Sequence, residues 1–221
     1  MTRYAGTCSI VLVLCIAMCS VAEAAAARWK YPEDPDFCVV ELRYVLPLIG
    51  DQDPTPLLRI YGDGRVRVHY PTYMKKAGDY ELRLTSGEVK KILSTCAEKG
   101  VMTFDPHDIQ RQMEEADARQ RARRSAEGQP RMVSHRSEQE LTRLEIHFQE
   151  VAPGGAGRSS QGQLHKTIAC DALPSNARAY PSIAALGGLH EVVRSLRALC
   201  DRADLKRISH PGSPEEEGPR I

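Results

Sequence analysis

Apolar and polar residues alternate with a period of two in four stretches of the chain, which is typical of half-buried β-strands. The first stretch is residues 38–46, in which every second residue from Cys38 onward is apolar or aromatic. Residues 79–84, 140–149 and 164–170 show a similar alternation. We therefore predict a strand in each stretch, with the apolar side chains facing the core.

Residues 57–70 predict a β-hairpin, whose register follows from the requirement that its apolar residues share one face. A three-residue loop at 62–64 pairs Ile60 with Val66, which keeps both side chains inward. A two-residue turn would instead pair Ile60 with Arg67 and bring an arginine into the core. The three-residue loop is therefore predicted, with its second glycine in the left-handed conformation.

Two further stretches have the apolar spacing of amphipathic helices. Thr85 and Glu88 form a capping box at the start of the first helix, and Gly100 follows its end. The second helix is predicted over about residues 183–203, where apolar residues form a continuous stripe. Each helix therefore has one face that must pack against other elements.

Residues 105–139 form an insertion of a different kind. Residues 107–127 favour a helix, but its apolar face is thin, and acidic residues precede basic ones in the order that suits the helix dipole. Glycine, proline and serine follow. We expect this insertion to be exposed and flexible, with a solvated helix face; a docking site at its arginine-rich end is the alternative.

The order of these elements indicates an α+β fold. We predict an antiparallel β-sheet of about five to six strands with two helices packed on one face, plus the exposed helical insertion. The domain covers residues 38–205, between an N-terminal arm at 25–37 and a disordered tail at 206–221. A chain of 221 residues is long enough to bury one core of this kind.

Residues 1–24 have the layout of a secretory signal peptide. Arg3 precedes an apolar run, and Ala22 and Ala24 are the small residues that a cleavage site needs. An uncleaved signal anchor and a lipoprotein are the alternatives, although no small residue precedes either late cysteine of the leader. We expect an exported protein, periplasmic or secreted, that contacts the membrane only if the leader stays attached.

Four cysteines remain once the leader is removed: Cys38, Cys96, Cys170 and Cys200. An even number in an exported chain favours two disulfides, and the lack of any C-x-x-C spacing argues against a zinc site. Three connectivities are possible. Because all four cysteines occupy predicted inward positions, the pairing that we favour joins Cys38 to Cys170 and Cys96 to Cys200.

The sequence contains no catalytic, cofactor or metal signature that we would defend. The string from His190 resembles the helical zinc-protease motif, but Arg194 occupies the second ligand position and cannot bind zinc. His147 and His165 could be cross-strand neighbours, yet two imidazoles without a third ligand make a poor metal site. The formal net charge of +1 gives no indication of a nucleic-acid partner.

The solvent face of the predicted sheet is the best candidate for a ligand or partner surface. The hairpin register sets Arg59 opposite Arg67, and Glu81 on the next strand is a natural partner for this like-charge pair. The candidate surface residues are Arg59, Arg67, His69, Arg83, Tyr73 and Lys75. They could hold an anionic ligand or an envelope protein, but a cross-strand charge ladder that keeps the sheet soluble is the simpler interpretation.

The segment from Leu58 to Leu84 reads LRIYGDGRVRVHYPTYMKKAGDYELRL and is followed by a helix that reaches Cys96. This segment resembles one found in a family of uncharacterised exported bacterial proteins of unknown function. The resemblance is confined to this part of the chain. It implies a bacterial, periplasmic setting, and it implies no activity and supplies no catalytic residues.

These observations lead to two main hypotheses about function; an envelope-anchored structural protein is a third class, which depends on the leader remaining attached. The first is a non-enzymatic binding or interaction module that works through the sheet face or the insertion and needs no cofactor. The second is an exported hydrolase whose site is assembled from residues scattered in sequence. That enzyme would require two or more of the following to converge in one cleft: Asp79, Glu81, His69, His147 and His165.

Overall fold

The computed structural model describes residues 29–45, 53–127, 140–150 and 163–208. Within these ranges the chain forms eight β-strands and four α-helices. The strands are β1 (Trp29–Lys30), β2 (Cys38–Val45), β3 (Leu58–Tyr61), β4 (Arg65–Tyr70), β5 (Gly78–Arg83), β6 (Leu141–Glu150), β7 (Gln163–Asp171) and β8 (Lys206–Arg207). The helices are α1 (Ser86–Glu98), α2 (Pro106–Ala126), α3 (Leu173–Ala179) and α4 (Ala184–Ala198).

All eight strands belong to one antiparallel sheet. β7 pairs with β6, and from β6 the order runs through β2, β3, β4 and β5 to β8, while β1 pairs with the far end of β6. This arrangement confirms the predicted α+β class. The strand count exceeds the prediction because two short strands extend the sheet: β1, from the N-terminal arm, and β8, formed by Lys206 and Arg207 at the start of the predicted tail.

The hairpin of β3 and β4 has the predicted register. Ile60 pairs with Val66, as the three-residue loop requires. Gly64 has a φ of +83°, in the left-handed region that favours glycine. A Cβ atom at this position would lie 2.2 Å from the carbonyl oxygen of Leu84, so a side chain would both strain the turn and displace the chain after β5.

One face of the sheet packs against α1 and α4 to form the core. The predicted capping box is present at the start of α1, where the Thr85 side chain accepts from the backbone N–H of Glu88 and the Glu88 carboxylate accepts from that of Thr85. Leu42 and Leu144 of the sheet and Leu189 of α4 are buried together in this core. Most charged residues of the strands therefore lie on the opposite face, which we call the open face. Lys166 is an exception, because it pairs with Ile146 and donates to the carbonyl oxygen of Phe104.

The helix α2 is packed more closely than the predicted exposed insertion. Ile109 and Met113 belong to the buried core, with 5% and 4% of their surface exposed. Farther along α2, Asp117 accepts a hydrogen bond of 2.7 Å from the hydroxyl of Tyr180. The first half of α2 is therefore part of the domain, whereas residues 128–139 of the predicted insertion lie outside the described residues.

The predicted signal peptide, residues 1–24, also lies outside the described residues. Within the described ranges, no helix combines the length and the apolar character that crossing a bilayer requires. The longest helix, α2, has 21 residues and carries charged side chains along most of its length. The expectation that the protein contacts the membrane only if the leader stays attached therefore remains a prediction.

Candidate metal centre on the open face of the sheet

The open face carries a ladder of paired charges. Each arginine of the predicted anion-binding surface has a carboxylate neighbour. The pairs are Arg59 with Glu41 (3.0 Å), Arg67 with Glu81 (3.7 Å) and Arg83 with Asp63 (2.9 Å). Arg59 and Arg67 lie opposite each other, as the hairpin register predicts. Because each guanidinium group is compensated by a neighbour, this part of the face is a cross-strand charge ladder.

Tyr73 and Lys75 lie apart from the ladder, in the loop between β4 and β5. Tyr73 is 67% exposed, and the adjacent Met74 is 45% exposed. The Lys75 side chain is also exposed. The predicted surface therefore divides into a charge-paired sheet face and a separate loop with an exposed apolar tip beside a positive charge.

His69 lies between two carboxylates. Its Nδ1 atom is 2.6 Å from Oδ1 of Asp79, and its Nε2 atom is 2.7 Å from Oδ2 of Asp53. Burial lowers the pKa of His69, but the hydrogen bonds to Asp79 and Asp53 outweigh burial and raise it. The hydrogen bond from His69 in turn lowers the pKa of Asp53. The protonated ring links β4, β5 and the loop before β3, and neither nitrogen offers a lone pair to a ligand.

A second histidine cluster lies on the same face, on β6 and β7. His147 pairs directly with His165, and the two rings stack at 4.2 Å between centroids with an angle of 12° between their planes. Oε2 of Glu145 lies 3.6 Å from Nε2 of His165 and 3.9 Å from Nε2 of His147. Each residue offers one ligand atom, and these three atoms lie within 4.8 Å of one another. The cross-strand pairing that the sequence left open is present, and Glu145 supplies the third group.

Neighbouring side chains hold this cluster in place. Arg143 lies two residues before Glu145 on the same side of β6, because side chains alternate along a strand. Its guanidinium group donates to Oε1 of Glu145 at 2.7–2.8 Å, which leaves Oε2 facing the histidines. Phe37 packs edge-on against His147, with 6.2 Å between the ring centroids. The positions of Glu145 and His147 are therefore fixed from two sides.

The surroundings of His147 favour its neutral form. Burial lowers the pKa of His147 and the neighbouring His165 lowers it further, while the carboxylates of Glu145 and Glu41 oppose both effects. A neutral imidazole carries the lone pair that binds Zn²⁺ and related ions. The side chain of His165 is 52% exposed and that of His147 is 26% exposed, so an ion here would keep coordination positions open to solvent.

The donor set fits a divalent transition-metal ion after small side-chain rotations. Two imidazoles and one carboxylate are ligands that zinc and related metals accept with positions left open. Ligand atoms about 2.1 Å from a tetrahedral ion lie about 3.4 Å apart, close to the present separations from Glu145. The stacked rings must tilt, and the hydroxyl of Thr167, which lies 3.1 Å from Nε2 of His165, must release that nitrogen. No strand has to move.

The cysteines are free thiols in the structure, and Cys38 does not face the core. Val40 pairs with Ile60, but Cys38 pairs with Tyr61, so a β-bulge interrupts the alternation. Val39 and Val40 are both buried, and Cys38 is turned to the open face. Burial there raises the pKa of the Cys38 thiol to about 11. The predicted inward position of Cys38 is wrong because the bulge inverts the start of β2.

Neither predicted disulfide is formed, whether Cys38 with Cys170 or Cys96 with Cys200. Cys170 pairs with Thr142 of β6. Val40, two residues beyond Cys38, pairs with Ile146, which lies four residues beyond Thr142 on β6. That offset corresponds to roughly 13 Å along a strand, whereas a disulfide requires Cα atoms within about 7 Å. Cys38 and Cys170 are therefore too far apart to bond.

Cys96 and Cys200 occupy their positions as buried, apolar side chains. Cys96 is fully buried on α1, and burial raises the pKa of its thiol to about 12. Cys200 follows α4, where burial raises its thiol pKa to about 11, and its carbonyl oxygen accepts a 3.0 Å hydrogen bond from Tyr70. Both thiols are protonated at neutral pH, so neither is a candidate nucleophile.

Glu145 is not among the residues predicted from the sequence, although a signal for it was present. Glu145 and His147 are two residues apart on one predicted strand, and His165 lies on the strand that we expected to pair with it. The resemblance over residues 58–96 does not reach this cluster. Comparisons of the chain with protein-family models, with curated proteins and with solved structures found no match.

Proposed function

We propose that the protein is an exported, non-enzymatic binding protein that holds a divalent transition-metal ion on the open face of its sheet. The ligands in this proposal are Glu145, His147 and His165. The convergence of their three donor atoms within 4.8 Å is the observation that carries it. Export, to the periplasm or beyond the cell, rests on the signal-peptide layout of residues 1–24.

The bound ion would also define the partner. The arginines of the surrounding face are compensated by neighbouring carboxylates, so a divalent ion would be the strongest local charge. Its open positions point to solvent, because His165 is half exposed. An anionic ligand, or a carboxylate or imidazole of an envelope protein, would complete the coordination.

An exported hydrolase is the second candidate, and the convergence of His69 with Asp79 at 2.6 Å favours it. A metal ion at the second cluster could also activate water. However, both nitrogens of His69 are engaged by carboxylates, and its raised pKa keeps the proton in place, so it is a poor general base. The described clefts of about 340 and 520 Å³ contain no residue of either cluster. Binding is therefore the better supported function.

The test is calorimetric titration of the purified full-length chain with ZnCl₂ near neutral pH. We expect one ion per chain, and we expect His165→Gln and Glu145→Gln each to weaken binding at least about tenfold, because removal of a ligand costs more than loss of an outer-shell partner. The affinity for zinc should fall as the pH is lowered, because the imidazoles must be neutral to bind the ion.

The matched control is His107→Gln, which removes an exposed histidine of α2 outside the cluster. This variant should bind zinc like the parent chain. Equal affinity of the parent chain and the His165→Gln variant would show that the ion binds elsewhere. Zinc-dependent hydrolysis of p-nitrophenyl acetate that disappears in the His165→Gln variant would instead favour the hydrolase.

A further inference from the structure

A cleft of about 340 Å³ opens on the helical side of the sheet, between the ends of β2 and β6 and the helices α3 and α4. Leu173 and Val193 contribute apolar walls, and the ring of Tyr44 forms another side. Thr142 of β6 belongs to the lining, together with arginines from α4. Its volume falls in the range of clefts that hold small organic molecules.

Thr142 is the observation that points to a ligand. It is 2% exposed, and in the described part of the chain no other buried side chain is charged or carries an amide, an imidazole or an aliphatic hydroxyl group. Its Oγ1 atom has no hydrogen-bond partner among the described residues. The following inward positions of β6 hold Leu144, Ile146 and Phe148. A buried hydroxyl without a partner costs free energy, so a threonine here is explained if a ligand supplies the missing hydrogen bond.

The mouth of the cleft is positively charged. Arg194 and Arg197 are exposed and lie three residues apart on one side of α4. No ion pair joins either of them to a carboxylate in the described ranges, and the guanidinium group of Arg197 lies 5.4 Å from the centre of the Tyr44 ring. Asp201 is the acidic residue of the lining. Burial raises the pKa of the nearby Glu140, and the positive charge of Arg197 opposes this increase. Outside the lining, Glu191 interacts with Arg194 as Glu140 does with Arg197. Within the lining itself, two guanidinium groups face one carboxylate, which favours an anion.

We propose that this cleft binds a small aromatic carboxylate that carries a hydroxyl group at the end opposite its carboxylate. The carboxylate pairs with Arg194 and Arg197 at the mouth, since guanidinium groups bind carboxylates through paired hydrogen bonds. The ring lies against the apolar walls, and the hydroxyl group reaches Thr142 at the buried floor. Inorganic phosphate would use neither the walls nor the floor. This site is independent of the metal centre on the opposite face.

The ligands for the test differ by one group at a time. 4-Hydroxybenzoate, benzoate and 4-hydroxybenzyl alcohol are titrated into the purified full-length chain and binding is measured by calorimetry. We expect 4-hydroxybenzoate to bind about tenfold more tightly than either analogue, the difference that one well-formed hydrogen bond or ion pair makes. Inorganic phosphate serves as the anion control and should bind more weakly than benzoate.

Two variants assign the contacts. Thr142→Val removes the hydroxyl with little change in volume, so it should abolish the preference for 4-hydroxybenzoate over benzoate and leave benzoate affinity unchanged. The melting temperature of the ligand-free chain should stay equal or rise, because the uncompensated hydroxyl is gone. The double variant Arg194→Gln/Arg197→Gln should weaken both acids at least about tenfold. Arg121→Gln, which removes an exposed arginine of α2, is the charge control and should have no effect.

Three results would overturn this proposal. The first is the lack of saturable binding of 4-hydroxybenzoate to the parent chain. The second is an unchanged preference for 4-hydroxybenzoate in the Thr142→Val variant, or unchanged affinity in the double arginine variant. The third is phosphate binding as tight as that of 4-hydroxybenzoate, which would indicate an anion site without selectivity for the organic part.

Discussion

Two histidine clusters on the same open face differ in the number of carboxylates available to each ring. His69 has a carboxylate oxygen within 2.7 Å of each of its two nitrogens. His147 and His165 share one carboxylate, that of Glu145, at 3.9 and 3.6 Å. The pKa of His69 is raised by its hydrogen bonds in spite of burial, whereas burial and the neighbouring imidazole lower the pKa of His147.

This difference separates a structural histidine from one that can bind a ligand. Two carboxylates stabilise the imidazolium form, and the ring of His69 then links three segments of chain through charge-assisted hydrogen bonds. At the other cluster, burial and the neighbouring ring lower the pKa of His147 despite the carboxylate of Glu145, which favours the neutral form that offers a lone pair to a cation. The pKa values of His69 and His147 are thus shifted in opposite directions on the same face, because the neighbours of the two rings differ.

The largest expected effect separates the clusters by their response to metal. Zn²⁺ at a hundred times its Kd should raise the free energy of unfolding by about 2.7 kcal/mol if the unfolded chain does not bind it. Urea denaturation with and without zinc should show this increment in the parent chain and in a His69→Leu variant. The increment should disappear in His165→Gln. If the increment disappeared in His69→Leu and persisted in His165→Gln, the metal would be assigned to His69.

The second effect concerns the chain without metal. His69→Leu should lower the free energy of unfolding by about 2 kcal/mol, because it removes two charge-assisted hydrogen bonds and leaves two carboxylates facing each other. His165→Leu is the matched control, and it should change stability by less than about 0.5 kcal/mol because its side chain is half exposed. Equal losses in urea denaturation would mean that His69 is no more structural than His165.

The third effect is a pH dependence of opposite sign at the two clusters. The contribution of His69 is fully present below its unfolded pKa of about 6.5 and is lost as pH rises through its raised folded pKa. The stability gap between the parent chain and His69→Leu should therefore narrow as the pH rises above about 6.5, by about 1.4 kcal/mol in total for each unit of the shift.

His147 should behave in the other direction. Its folded pKa is lowered, so the unfolded chain binds more protons near that pKa, and the parent chain should lose stability relative to His147→Gln as pH falls below about 6.5. Urea midpoints measured over this range test both signs. Parallel curves of stability against pH for the parent chain and both variants would contradict the opposite directions of the two pKa shifts.

Local rules predicted part of this face and failed where the backbone departed from them. The hairpin register and the position of Gly64 followed from patterning and turn chemistry, because a one-residue slip would have buried arginine. The bulge at Cys38 has no comparable signal, because Cys38, Val39 and Val40 are all apolar and the sequence therefore fits the alternation with or without the bulge. The free thiol at this position is therefore visible only in the structure.

The candidate metal centre was half predictable for a related reason. Alternation places Glu145 and His147 on one face of β6, but only strand pairing brings His165 to them, and pairing joins residues far apart in sequence. The hydrogen bond between Asp53 and His69 is of the same kind, because Asp53 lies in a loop before β3 whose path no periodic pattern describes. Contacts within one strand, one helix or one tight hairpin were accessible from sequence, whereas contacts between segments far apart in sequence were not fixed by it.

The smallest expected effect sets the baseline for charges on the open face. The guanidinium group of Arg67 lies 3.7 Å from Glu81, and both side chains are about half exposed, at 52% and 41%. Arg67→Gln removes this ion pair but also the repulsion from Arg59 directly opposite. It should therefore change the free energy of unfolding by no more than about 0.5 kcal/mol, as exposed ion pairs do. Urea denaturation at low and at high salt measures this effect. A loss as large as that of His69→Leu would show that single ion pairs on this face are as strong as the doubly bonded histidine, and the contrast between the two clusters would then not rest on the number of carboxylates.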